Sequence, residues 1–422
     1  MEFSEELDRR ASLREVRDLF KIPDGTIYML GNSLGLLSAP SRSAVSRVLD
    51  EWENLAIKGW LEGEPPWFWM AERLGKAAAG MVGAKNLEVI CTGSTTFNIH
   101  SMVSTFYKPS HGRSRIVAAA DDFSSDIYAL KSQISLKGMD WREHLILVQP
   151  DRRRQTSEER IEQAITEEVA LVLLPSVFYR SSQLLDMERI TAHAHRKGAI
   201  IGFDCSHSVG VVPHRFDDFS PDFALWCSYK YLCGGPGSPA FIYINSEHFD
   251  LEPGVAGWFG NVKETQFDLR LDFEHTRSAG GWQVSSPGIL SAAGVEGALE
   301  IILDAGIERI REKSLKMTSY LIFLVDQLLS GEPYDFDLIT PREPEKRGGH
   351  VALSRKHDAS RIKEALHGRG VITDFRPPDI IRLAPSPLYN TYREIREVVE
   401  QIREIIDTGE YLRVSPERKI IS

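Results

Sequence analysis

Seven short apolar runs recur through the middle of the chain: LEVICTG (87–93), RIVAAA (115–120), HLILVQ (144–149), VALVLLP (169–175), AIIGFD (199–204), FALWCS (223–228) and AFIYI (240–244). They are bounded by turn residues and, for the most part, separated by helix-sized stretches. Such an alternation predicts an α/β fold, with a mostly parallel sheet covered by helices on both faces. Ahead of the runs, PSRSAVSRVLDEWENLAIKGW (40–60) and PPWFWMAERLGKAAAGMVG (65–83) carry apolar residues at helical spacing. After about Pro287 the pattern changes to long helices with few strands. This predicts a large domain over 61–290 and a smaller α/β domain built from 1–60 and 291–422.

The 422 residues are 42% hydrophobic and 26% charged, the balance of a globular protein with more than one core. A net charge of -10 argues against a general nucleic-acid or anionic-membrane partner. No apolar run approaches the roughly 20 residues needed to span a bilayer, and the start MEFSEELDRR has no apolar signal core, so a cytoplasmic location is expected. Cys91, Cys205, Cys227 and Cys233 lack zinc-ligand spacing and read as reduced structural thiols. His193 and His195, two residues apart on a predicted helix, face different directions, so no metal site is expected there.

In an open α/β sheet, ligands collect at the carboxyl ends of strands. Three of the runs end in unusual polar groups. The first is followed by Ser94, Thr95 and Thr96 at a predicted helix start, where free N–H groups can hold a phosphate or the hydroxyls simply cap the helix. Another ends in Asp204, with His207 three residues on, and FALWCS is followed by Tyr229 and Lys230. A phosphate cradle, a strand-end carboxylate and a strand-end lysine are the three groups pyridoxal phosphate needs. They anchor its phosphate, keep its ring nitrogen protonated and supply an amine for a Schiff base. Gly234, Gly235 and Gly237, just beyond Lys230, either let backbone approach the cofactor or form a plain loop.

LGNSLGLL (30–37), FSSDIYA (123–129), GFDCSHSVG (202–210), CSYKYLCGGPGSPAFIY (227–243), GWFG (257–260) and RLAPSPLYN (382–390) together resemble the kynureninases, in that family's order and over most of the chain. The resemblance implies an aspartate-aminotransferase-like pyridoxal-phosphate fold. It also implies hydrolysis of L-kynurenine to anthranilate and L-alanine, in the tryptophan catabolism that can feed NAD biosynthesis. By the same resemblance Lys230 is the Schiff-base lysine, Asp204 the partner of the ring nitrogen, and His207 a neighbour of the ring. Thr95 and Thr96 match the phosphate-binding pair, Tyr229 a phosphate contact and proton relay, and Phe123 the stacking aromatic with Asp126 nearby. Trp258 and Ser286 match further cofactor positions that a neighbouring subunit can supply, implying a homodimer. Arg382 matches the arginine that holds the substrate carboxylate, with Asn32, Ser33 and Trp60 also on the substrate side, while Arg376 is expected in a structural ion pair. Trp60 and Ser286 stand where relatives that favour 3-hydroxykynurenine have histidine and asparagine, which implies a preference for unsubstituted L-kynurenine; the alternative for Trp60 is a core aromatic.

Two departures from that pattern stand out. Pro175 replaces a hydroxyl residue near the cofactor, with Ser176 next to it, and Ser181–Gln183 lacks an expected glycine. An aminotransferase, a cysteine desulfurase, or a related enzyme acting on a modified substrate would use the same lysine and aspartate, and a non-catalytic binding protein could keep the same fold.

Overall fold

The structure, a computed structural model, describes residues 2–415. Ile27–Tyr28 forms the short strand β1. The seven apolar runs then supply β2 (Val89–Cys91), β3 (Arg115–Ala119), β4 (Leu145–Val148), β5 (Val169–Pro175), β6 (Ile200–Asp204), β7 (Phe223–Trp226) and β8 (Phe241–Ile244). These seven form one sheet in the order β2-β8-β7-β6-β5-β3-β4. Neighbours from β4 to β7 pair in parallel, and β8 is antiparallel to both β7 and β2. Two reversals restore the direction, so β2 ends at the same edge as β6 and β7. That edge is where the groups after Cys91, Asp204 and Trp226 meet.

Beyond these lie β9 (Asp337–Leu338), β10 (Val351–Ser354), β11 (Val371–Ile372), β12 (Asp374–Arg376) and β13 (Ile380–Leu383). β12-β13-β10-β9 form an antiparallel sheet, and β11 pairs in parallel with β1. Met317, Leu321 and Val325 on the helix Ile307–Leu328, and Ile395, Val399 and Ile402 on the helix Tyr392–Asp407, bury against this small sheet. Asp8 ties the N-terminal helix to it by accepting from the N–H groups of Tyr392 (2.7 Å) and Arg393 (3.1 Å). These are free donors at a helix start, where a carboxylate also complements the dipole.

The helices Ala39–Leu55 and Ile289–Ala305 bury Val48, Ala292, Val295 and Ile302 in the core of the large sheet. They cross closely: a Cβ at Gly297 would sit 2.3 Å from the backbone of Pro40. The large-sheet core therefore runs past both ends of the expected 61–290 span, because these flanking helices turn their apolar faces toward it. Among the described residues no helix is long and apolar enough to cross a membrane.

Candidate active site

A cleft of about 170 Å³ opens where the carboxyl edge of the large sheet faces the small sheet. It gathers Asn32, Ser33, Thr95, Thr96, Phe123, Asp126, Asp204, His207, Tyr229, Lys230 and Arg382, which the sequence distributes over more than three hundred residues. A larger groove, about 740 Å³ and lined in part by Glu158, Arg189 and Lys346, contains none of these strand-end groups.

Lys230 follows β7, and its Nζ lies 2.9 Å from Nε2 of His207, which follows β6. Burial, and then the charges of Lys230 and Arg382, push the His207 imidazole well below its usual range. The ring is therefore held neutral beside the lysine amine. Gly35 explains how the distant LGNSLG segment joins the site. Its N–H donates to Tyr229 O at 2.7 Å, and a Cβ there would collide with Lys230 O at 2.6 Å, so only glycine lets the two backbones meet. Asn32 is brought into the cleft fully buried, with neither amide atom paired among the described residues.

The large-sheet wall is acidic. Asp204 Oδ1 accepts from Ser206 N at 2.7 Å, and Asp122 Oδ1 accepts from Phe123 N at 2.7 Å. Asp126 lies beside them, 1% exposed. Burial, and then the charge of Asp204, push the carboxyls of Asp122 and Asp126 well above the usual range. One oxygen on each of these two, and Nδ1 of His207, is buried without a partner among the described residues. Buried polar atoms of this kind cost free energy unless a ligand completes them.

The helix Thr95–Phe106 starts at this wall with no side chain capping its N-terminus, so its first N–H groups remain available to an anion. Thr96 Oγ1 lies 2.6 Å from Ser125 Oγ. Phe123 is 47% exposed and meets Tyr179 edge-to-face at 5.4 Å. Burial, and then Cys227, raise the Tyr229 hydroxyl above its ordinary range, which keeps it protonated and able to donate.

Across the cleft the small-sheet wall is basic. In the β12–β13 register Asp374 lies opposite Arg382, and Arg376, two residues on, shares its face. Arg382 Nε donates to Asp374 Oδ1 at 2.8 Å, Nη2 donates to Oδ2, and Nη1 donates to Tyr179 O at 2.6 Å. Arg376 does make the expected ion pair, its Nη2 donating to Asp374 Oδ2 at 2.9 Å, but it also lines the cleft. Sequence reasoning passed over Asp122, Tyr179 and Asp374. Asp122 and Tyr179 lie in the loops that leave β3 and β5, so the strand-end rule points to them; Asp374 becomes visible only once the hairpin register is known.

Three expected residues lie outside this cleft. Trp60 packs on Trp67 (6.1 Å) and Phe259 (6.0 Å). Trp258 is 44% exposed beside Phe259 and Phe267. Ser286 lines a neighbouring pocket with Gly93, Phe97 and Gly237. Gly235 and Gly237 adopt left-handed φ of 96° and 74°, which turn the chain just beyond Lys230.

The departures also have physical outcomes. Pro175 pairs with Asp204 at the strand end and lines the cleft. Ser176, pointing the other way as strand periodicity requires, bonds Ser208 Oγ at 2.6 Å and Asp204 O at 3.3 Å, so it does not replace the missing hydroxyl. Ser182 holds the left-handed φ of 63° where a glycine was expected, and its Oγ accepts from His350 N at 3.3 Å. His195 pairs with Asp222 at 3.0 Å. All four cysteines are buried, and burial raises every thiol, to about 12 for Cys205 and Cys233, opposite to what a reactive sulfur needs.

These groups fit pyridoxal phosphate: an open helix start for its phosphate, unpaired carboxylate oxygens for a cationic ring nitrogen, and a lysine between them. Among solved structures the chain resembles a cysteine desulfurase from Thermococcus onnurineus NA1, with TM-score 0.79, 20% identity, and coverage of 94% of this chain and 100% of that one. It likewise resembles a C-DES variant with glycine covalently linked to its PLP cofactor, with TM-score 0.79, 15% identity, and coverage of 92% and 99%. At these identities the likeness concerns the fold, which is that of the PLP-dependent enzymes. In sequence, residues 310–402 match the Kynureninase C-terminal domain. A kynureninase of Bacillus cereus (strain ATCC 14579) is 47% identical over 421 residues, covering 100% of this chain and 98% of the relative. One from Geobacillus thermodenitrificans (strain NG80-2) is 46% identical over 422 residues, with the same coverage. With such identity along its whole length, and a cleft fitted to the cofactor, the chain belongs to the kynureninase family.

Proposed function

We propose that this chain uses pyridoxal phosphate to hydrolyse the Cβ–Cγ bond of L-kynurenine, releasing anthranilate and L-alanine, a step of tryptophan catabolism. The observation that carries the reading is the placement of Lys230 and neutral His207 between an acidic wall and an arginine wall. When bound, the cofactor supplies an electron sink for charge developing at the substrate Cα.

The chain's own groups do the rest. The start of the helix Thr95–Phe106, with Thr95 and Thr96, holds the phosphate. Asp204 would accept the ring N–H and keep that proton in place, with Asp122 and Asp126 lying beside it. Lys230 Nζ moves the proton at Cα, and His207 Nε2 holds the amine in position. The protonated Tyr229 hydroxyl donates during cleavage, when water has added to the substrate carbonyl. Arg382 orients the α-carboxylate through the outer hydrogens of its guanidinium, while Asn32 and Ser33 offer polar contacts on the same side. Assay of anthranilate release from L-kynurenine by the holoenzyme tests the reading; binding of the cofactor without release would refute it.

A homodimer completes the site. Supporting this, Trp258, Phe267 and Leu269, at 44%, 66% and 72% exposure, form an apolar surface, while Trp258 and Ser286 do not reach the cleft of their own protomer. Sedimentation is expected to give a dimer, and an active, cofactor-loaded monomer would contradict it. With Trp60 and Ser286 carried to a partner's cleft, unsubstituted L-kynurenine is the preferred substrate, because an indole gives a ring hydroxyl no acceptor. A higher kcat/KM for 3-hydroxykynurenine would overturn that preference. The place of action is the cytoplasm.

A further inference from the structure

Asp374 is fully buried and Arg382 is 1% exposed, and the two form a closed bidentate pair. Such a pair has no net charge, so on its own it offers a substrate carboxylate oriented donors but little Coulombic attraction. Opposite it stand Asp122, Asp126 and Asp204, which supply an anion with no positive charge. A second cation shares the buried aspartate. Arg376 Nη2 donates to Asp374 Oδ2 at 2.9 Å, its side chain is only 27% exposed, and its Nε is buried without a partner among the described residues. Two guanidiniums on one carboxylate leave a net charge of +1 at a wall with little water to screen it.

We propose that Arg376 is a second determinant of carboxylate recognition, supplying the net positive charge that the Arg382–Asp374 pair lacks. This rests on the reading that the substrate carboxylate docks at Arg382. It assigns Arg376 more than the structural ion pair expected of it from the sequence. A brace would act only by holding Asp374 and, through it, Arg382; a charge acts on the anion directly.

The two roles separate in a cycle that uses the holoenzyme. L-alanine and L-alaninamide are titrated against wild type, R376Q, R376K, R382Q and the double variant R376Q/R382Q, with the cofactor absorbance as readout. R376Q is expected to lower the preference for the carboxylate over the carboxamide by roughly tenfold or more, the scale of a lost charge-assisted contact. R376K, which keeps the charge, is expected to retain most of the preference, and the double variant to fall below R382Q. Equal weakening of both ligands in R376Q, or a double variant no worse than R382Q, would overturn the inference. Should R376Q fail to fold, R376K decides: loss of the preference there would overturn it. If R382Q itself leaves the preference unchanged, the docking of the carboxylate at this wall fails as well. A fall in R382Q without one in R376Q removes only the role of Arg376.

Discussion

The two walls of the cleft solve the problem of buried charge in opposite ways. On the small-sheet wall Asp374 pairs with both Arg376 and Arg382, so the two guanidiniums are aligned before any ligand arrives, although Arg376 Nε keeps no partner among the described residues. On the large-sheet wall Asp122 and Asp126 each keep an unpaired oxygen, and burial together with Asp204 pushes their carboxyls up. The first wall is preorganised for an anion that comes and goes at each turnover. The second is left incomplete, to be finished by a cationic ring that stays.

Replacing Lys230 with alanine removes the amine that His207 contacts in this cleft. It should cost the most, at least about 10³-fold in kcat, the upper range for loss of a positioned acid–base group. Neutralising the acidic wall comes next. Asp204→Asn should lower kcat by roughly 10²-fold, since it weakens the hold on the ring proton, and steady-state kinetics at saturating cofactor would measure it. The basic wall should respond differently. Arg382→Gln should raise KM by about 10- to 100-fold with a smaller change in kcat, as expected for a contact made in ground and transition states alike. If Asp204→Asn acted on KM and Arg382→Gln on kcat, the division of labour between the walls would be reversed.

The smallest effect concerns pH. Burial raises Asp121, beside the acidic wall, from 3.8 to about 6. The folded apoprotein then binds more protons than the unfolded chain between those values. The stability this contributes is fully present below pH 3.8 and is lost as pH rises through about 6. Asp121→Asn should remove that part of the slope and leave the apoprotein more stable at pH 7 by on the order of 1 kcal/mol, as read from urea denaturation. An unchanged profile would show that Asp121 is not held in its neutral form.

Much of the large-sheet wall is legible from the chain alone. Each of its key groups directly follows an apolar run, and a parallel sheet brings such ends to one edge. The small-sheet wall is less legible. Arg382 can be picked out by its motif, but Asp374 acquires meaning only from an antiparallel register that joins residues eight apart. The role of Pro175 likewise needed the sheet, since strand periodicity turns Ser176 away from the cleft. Trp60, Trp258 and Ser286 stand out by resemblance, yet the fold of one chain does not bring them to the cleft. The core served by the helices Ala39–Leu55 and Ile289–Ala305 is likewise visible only from their packing.

Lys230 is the point where both walls converge, and its covalent role can be read directly. The holoenzyme, reduced with borohydride and digested, should yield one pyridoxyl-labelled peptide, carrying the label on Lys230 in the segment CSYKYLCGG. Label on Lys313 or Lys363, which are buried, or on no lysine at all, would contradict the assignment of this cleft as the cofactor site.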